Sequence, residues 1–357
     1  MRLIRACVDT QALRSNLEVL RARAPHARIM AVVKANAYGH GLVPVALALG
    51  GADAFAVARI EEGAALRGAG VTQPIVLLEG VINAGQLAAA AELQLELVVH
   101  DEPQIELLEA FRGPHRFALW LKVDTGMNRL GLRPEEFAAA WSRLAVLAVQ
   151  PLRLRVLTHM ACADERDHPA NAAQLARFAA LADRLGAERS MANSAALLGL
   201  PQTHAEWVRP GLALYGLSPF AGQTGADFGL KPVMTLESTV IAIRDVHRGE
   251  YVGYGATWRA ERDSRVAILA GGYGDGLLRS LPNGSPVLIT GRRAPLAGRV
   301  SMDMIAVDVT DLPPVHVGER AELWGTALPV EELAAAAGTV PYELVCGVSQ
   351  RVPLELV

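Results

Sequence analysis

Between residues 28 and 215, short apolar β-branched runs alternate with alanine- and leucine-rich stretches whose charges recur at helical spacing. Candidate strands fall at 28–33, 53–58, 74–78, 95–99, 117–123, 154–157, 189–192 and 206–208. Each is followed by a helical stretch, as at 60–68, 102–111, 134–146 and 170–185. Eight such units closing on themselves make an α/β fold of the (β/α)8 barrel type. An open doubly wound sheet would ordinarily have fewer strands and a glycine-rich first turn.

Past Phe220 the texture changes. Residues 222–229 are rich in glycine and polar side chains, and the chain beyond them alternates apolar with polar residues at period two. Runs at 234–243, 265–269, 286–289, 304–309 and 319–324 are punctuated by glycine and proline, with one helix at 330–337. These features predict a flexible linker and then a mainly β C-terminal domain, the barrel occupying 1–225 and the second domain 226–357. Within residues 1–8, the run at 3–8 lies ahead of the eight units and is available to add a strand to the second domain. A length of 357 residues suits one barrel with one appendage.

Composition excludes several classes of protein. With 51% hydrophobic and 20% charged residues the chain is neither disordered, collagenous nor a coiled coil. Its 34 basic residues are balanced by 37 acidic ones and are scattered, so nucleic acid is not an expected partner. Cys7, Cys162 and Cys346 lie too far apart for a disulfide framework or a zinc site, and we read them as reduced core thiols, with no metal expected. Asp9 interrupts the opening segment before any signal-length apolar run, and no stretch of 18 uncharged apolar residues occurs. A soluble cytoplasmic protein is expected.

In a barrel of this kind the reactive groups sit at the carboxyl ends of the strands and in the loops after them. Val33 is followed there by Lys34, in the run Ala31-Val32-Val33-Lys34-Ala35-Asn36-Ala37-Tyr38-Gly39-His40-Gly41. A lysine that ends an apolar strand faces the barrel mouth, where desolvation favours the free amine as a nucleophile or Schiff-base partner. A lysine snorkelling from the strand end to solvent is the alternative.

This run resembles the pyridoxal-phosphate attachment motif of bacterial alanine racemases, and the resemblance continues in order through nearly the whole chain. Its later landmarks are the segments 122–131 (KVDTGMNRLG), 158–160 (THM), 192–195 (ANSA), 209–211 (RPG), 253–257 (GYGAT), 298–303 (GRVSMD) and 341–343 (PYE). The resemblance implies a barrel plus a β domain, pyridoxal 5'-phosphate as cofactor, and alanine as substrate. It further implies a homodimer with shared active sites that supplies D-alanine for peptidoglycan. A broad-spectrum amino-acid racemase and a non-catalytic pyridoxal-phosphate-binding barrel are the rival readings. Proteins of the second kind resemble the first domain alone, so a further domain carrying Tyr254 and Met302 argues against it.

Residue by residue, the resemblance assigns the cofactor phosphate to Ser194, Gly211, Leu212, Tyr38 and Tyr342. Ser194 as the N-cap of the helix after the seventh strand, and Gly211 as a turn glycine, are the plain alternatives. Arg209 is assigned to the pyridine nitrogen of the cofactor. A guanidinium only donates hydrogen bonds, so that nitrogen stays unprotonated, which favours simple proton return over transamination. A rim salt bridge between Arg209 and Glu206 is the alternative. Lys34 and Tyr254 are assigned by the resemblance as the two catalytic acid–base groups. A phenol ordinarily titrates near pH 10, so Tyr254 needs cations beside it, and His159, polarised by Arg209, is the candidate. Without the resemblance, Tyr254 reads as an aromatic strand residue and His159 as a satisfied core histidine. Arg129 is assigned to the substrate carboxylate, with Met302 contributing from the second domain. Lys122 is either a solvated strand lysine or, as in some family members, a carbamylated one that positions the arginine. Asp303 and Tyr273 are read as pocket or entrance residues, with structural roles equally open.

Overall fold

A computed structural model describes residues 2–147, 154–183 and 185–357. They form two compact units, one of Leu17–Ala37 and Leu42–Leu214, the other of Met1–Asn16, Tyr38–Gly41 and Tyr215–Val357. The first strand, β1 (Arg5–Val8), belongs to the latter.

The former unit is a closed barrel of eight parallel strands. They are β2 (Arg28–Val32), β3 (Ala54–Val57), β4 (Ile75–Leu77), β5 (Glu96–Val99), β6 (Leu119–Lys122), β7 (Leu154–Leu157), β8 (Arg189–Ser190) and β9 (Trp207–Val208). Closure comes from β2 pairing with β9 at Arg28↔Trp207 and Ile29↔Val208. Every residue of β3 to β7 is buried, as strands covered on both faces must be. All eight strands lie where the alternation predicts them. The helices Ile60–Gly68 and Glu102–Ala110 do too, whereas the one expected at 134–146 begins only at Phe137. The helix expected at 170–185 runs Pro169–Ala182, and residue 184 lies outside the described residues.

A charged and aromatic cluster fills the amino-terminal end of the barrel. Arg155, 8% exposed, donates to Glu96 Oε2 at 2.8 Å and to Glu188 Oε2 at 2.7 Å. The Trp120 and Trp207 indoles donate to Glu96 and Glu188 at 2.8 and 2.9 Å, and the Arg28 guanidinium lies 4.2 Å from the Trp207 ring centre. The buried charges of Arg155 and Glu96 are thus paired and hydrogen-bonded at the end of the barrel remote from the carboxyl ends of the strands.

In the second unit the strands after the barrel are β10 (Met234–Val246), β11 (Tyr251–Val252), β12 (Trp258–Arg259), β13 (Ser264–Ala270) and β14 (Pro286–Ile289). They continue as β15 (Arg292–Pro295), β16 (Met304–Asp308), β17 (Arg320–Trp324) and β18 (Leu354–Leu356). One sheet runs β15-β14-β17-β10-β1-β18, with β13 pairing both β10 and β16. β1 lies antiparallel to β10 and parallel to β18, and Arg5 holds it there through Glu237 and Glu355, each at 2.7 Å.

Two expectations are corrected here. The glycine-rich segment 222–229 is not a slack linker. Thr224 and Asp227 form a capping box around the 3-10 turn Gly225–Phe228, and the carboxylate of Glu331 accepts the Ser218 and Gly225 amides at 2.9 and 3.0 Å. Glycine is required because a Cβ at Gly225 would lie 1.8 Å from the Gly216 carbonyl oxygen. The cysteines form no disulfide among the described residues, but they are not core residues, since Cys7 and Cys162 are half-buried and Cys346 is exposed. Cys346 follows buried Leu344 and Val345 on the helix Pro341–Gly347 and turns away from their face. No helix of the described residues is long and apolar enough to cross a membrane.

Candidate active site

At the carboxyl end of the barrel the strands deliver Lys34 after β2, Lys122 as the last residue of β6, His159 after β7, Ser194 after β8 and Arg209 directly after β9. The chain does not turn ordinarily after Lys34. Ala35, Asn36, Ala37 and Tyr38 have φ of 54°, 55°, 53° and 53°, a left-handed helical turn of four residues without glycine. Each L-residue so placed costs about 1–2 kcal/mol, Asn least, so the surroundings must hold the turn. Local support comes from the Ala37 amide donating to the Val33 carbonyl at 2.9 Å and the Leu42 amide donating to Asn36 Oδ1 at 2.9 Å.

Lys122 is 9% exposed, which removes the solvated-lysine reading. Burial pushes its amine down to about 8, and the charges of Arg209, Arg129 and Lys34 push the same way. Arg129 is exposed, on a loop built around Asp124, whose Oδ1 accepts the amides of Gly126, Met127 and Asn128 at 2.8, 3.0 and 3.1 Å. The bridge Val123↔Leu132 closes this loop.

Arg209 is 5% exposed and donates to Ser190 Oγ at 2.7 Å and the Thr158 carbonyl at 2.6 Å. Among the described residues no ion pair joins it to a carboxylate, because Glu206 is engaged with Arg189 instead. The rim salt bridge is thereby excluded. Burial lowers Arg209 to about 10, which leaves it charged at neutrality. Its Nη2 lies 3.4 Å from His159 Nδ1. His159 is not the cation that the sequence suggests. Burial first, then Arg209, Lys122, Arg129 and Lys34, hold its imidazole well below the usual range and hence neutral.

A residue that sequence reasoning missed holds this region together. Gln174, 1% exposed, donates to the His159 carbonyl at 2.9 Å and Thr125 Oγ1 at 3.0 Å, and accepts the Ala161 amide at 2.9 Å. Thr125 Oγ1 lies 2.8 Å from Thr158 Oγ1, so one glutamine ties the loops after β6 and β7.

Ser194 is not the N-cap of its helix. Asn193 is, its Oδ1 accepting the Ala196 amide at 3.0 Å. This leaves buried Ser194 Oγ to accept the amides of Gly211 and Ala213 at 2.9 and 3.2 Å, with Leu212 wholly buried between them. A hydroxyl among main-chain amides suits an anion, a buried guanidinium without a carboxylate suits a ring nitrogen that accepts, and a strand-end amine suits an aldehyde. The donor set fits pyridoxal phosphate.

The second unit holds the other candidates. Tyr38 is buried, which raises its phenol, and its ring stacks on Tyr215 at 4.9 Å and lies 5.9 Å from Tyr342. Tyr342 sits in the first turn of Pro341–Gly347, a helix not anticipated from sequence. Gly39 allows the approach, since a Cβ there would lie 2.0 Å from the Val345 carbonyl oxygen. Tyr254 is 69% exposed on the 3-10 turn Tyr254–Ala256 between β11 and β12, so it is not a strand residue. Met302, 52% exposed, lies in the turn before β16, where its carbonyl accepts the Gly274 amide at 2.9 Å. The Tyr273 amide bonds the Ser301 carbonyl at 3.0 Å and its ring is exposed. Asp303 pairs with Arg351 at 2.7 Å, and Arg351 also holds buried Asp275 at 2.9 Å, which is a structural brace.

A barrel with a lysine after its first strand and a buried, carboxylate-free arginine after its last defines the barrel-fold class of pyridoxal-phosphate enzymes. Residues 8–219 match the family model "Alanine racemase, N-terminal domain", and residues 233–356 match "Alanine racemase, C-terminal domain". The chain belongs to the alanine racemase family. It is 50% identical over 354 residues to the alanine racemase of Aeromonas hydrophila and 48% identical over 354 residues to that of Vibrio vulnificus, covering 99% of each chain in both cases. Among solved structures it resembles the biosynthetic alanine racemase of Pseudomonas aeruginosa, with TM-score 0.96, 47% identity and 100% coverage of both chains. It also resembles that of Bartonella henselae with covalently bound pyridoxal phosphate, with TM-score 0.90, 30% identity and 100% coverage of both chains.

Proposed function

We propose that this chain, a pyridoxal-phosphate-dependent racemase, interconverts L- and D-alanine with Lys34 Nζ and Tyr254 Oη as the two acid–base groups. When bound, the cofactor supplies an electron-withdrawing ring that makes the α-hydrogen of alanine acidic. Inversion at carbon needs a proton removed on one face and delivered on the other, and the two residues divide that work. Ser194, the Gly211 and Leu212 amides, and the Tyr38 and Tyr342 hydroxyls hold the phosphate. Arg129 grips the substrate carboxylate and Met302 limits the side chain. His159, being neutral, orients rather than supplies charge.

The observation that carries the reading is Arg209, buried, charged and, among the described residues, bonded to neutral acceptors alone. Such a group cannot protonate a ring nitrogen, which favours return of the proton to carbon over its transfer elsewhere. Incubation with L-alanine in heavy water tests the whole. D-alanine should appear with deuterium at the α-carbon, and accumulation of pyruvate or ethylamine without racemisation would overturn the reading.

We further infer a homodimer with shared sites. Supporting this are the exposed Tyr254 and Met302, which a second copy would cover. A cytoplasmic location and supply of D-alanine for peptidoglycan are proposed from the likeness to the biosynthetic Pseudomonas enzyme. A domain division at 225/226 is proposed because the two family matches stop at 219 and resume at 233.

A further inference from the structure

The carboxylate of Glu62 makes more bonds than its helix requires. As the third residue of the helix Ile60–Gly68 it closes a capping box, Oε2 accepting the amides of Arg59 at 3.0 Å and Ala58 at 2.8 Å just past β3. A helix cap needs nothing more. The other oxygen, Oε1, leaves the helix altogether and accepts the amide of Ala35 at 2.6 Å. Ala35 is the residue after Lys34 and the first of the left-handed turn. One carboxylate therefore fastens the end of β2 to the end of β3 at the peptide that follows the reactive lysine. No ion pair joins Glu62 to a cation among the described residues.

We propose that Glu62 is a positioning residue for Lys34. By holding the Ala35 amide it maintains the strained turn and the direction in which the lysine leaves the strand end. The proposal rests on the reading of Lys34 as the cofactor lysine. Charge-assisted bonds to a carboxylate are short and directional, so this one fixes the peptide plane on which Lys34 is mounted.

The test uses the full-length enzyme with its cofactor. In Glu62→Ala, hydrogen exchange across residues 33–38 should quicken about tenfold, the loss expected for one hydrogen bond to a charged acceptor. The fraction of chains labelled at Lys34 by a borohydride pulse should fall, and kcat should drop about tenfold with KM for alanine little changed. Glu62→Gln keeps one acceptor oxygen and cannot serve both strand ends, so it should fall between, and it decides the matter if Glu62→Ala does not fold. Asn83→Ala is the control. It removes a cap from the helix Ala84–Glu92, where Asn83 Oδ1 accepts the Gln86 amide at 2.9 Å, and should lower the unfolding midpoint without altering Lys34 labelling or kcat. Glu62 variants that behave like Asn83→Ala would overturn the proposal and leave Glu62 a helix cap. Labelling of a different lysine in the unaltered enzyme would instead overturn the Lys34 reading, and the proposal with it.

Discussion

Lys122 shows how neighbours alter a single residue. Its amine loses its proton near pH 8 in the folded protein, against an ordinary 10.5, because burial and three cations oppose its charge. Between those values the unfolded chain binds the proton that the folded one has released, so stability rises with pH across that window. In cofactor-free protein kept free of carbon dioxide, Lys122 should add about 3 kcal/mol of stability between pH 8 and 10.5. Urea denaturation of the parent and of Lys122→Met at several pH values checks this. The rise should vanish in the variant, and parallel curves would show that Lys122 is neutralised some other way. Carbamylation is such a way, and added bicarbonate should flatten the parent's curve.

At the level of elements, the barrel separates its stabilising end from its chemical end. Glu96 opens β5 and serves both Arg155 and the Trp120 indole. Glu96→Leu would leave the buried guanidinium with Glu188 alone and the indole without its acceptor. Breaking a buried pair in this way costs about 3–5 kcal/mol. The urea midpoint should fall accordingly, while racemisation per folded molecule stays within about twofold, since the carboxyl ends of the strands are untouched. A large loss of kcat at unchanged stability would contradict that separation. Gln174 marks the opposite end, where side chains on a helix set the loops that carry the reactive groups.

For the whole molecule, the proposed shared site makes a quantitative demand. Lys34→Ala and Tyr254→Phe should each be nearly inactive. Co-refolded in equal amounts, they should form hybrids as about half of the dimers, each with one site carrying both lesions and one carrying none. About a quarter of the parent activity should return. Hybrids confirmed by mass but no more active than either variant would mean that both residues come from one chain.

The order of strands and helices was legible in the sequence because period and run length are local properties, and the barrel follows from eight units repeating them. The residues of the attachment motif, of 122–131 and of 253–257 were legible as a resemblance. What those residues do to one another was not. Ser194 Oγ turns to the Gly211 and Ala213 amides because Asn193 caps the helix in its place. Among the described residues no carboxylate pairs with Arg209, Glu206 reaching Arg189 instead. His159 is neutral because burial strips its charge of solvent and four cations from separate segments press the same way. Nothing local asks Ala35 or Ala37 for a positive φ, and the Ala35 amide is held by a carboxylate 27 residues away. Burial, charge and strain sum over neighbours distant along the chain, so the sequence determined which elements form, and tertiary structure alone decided which side chains are charged, paired or held.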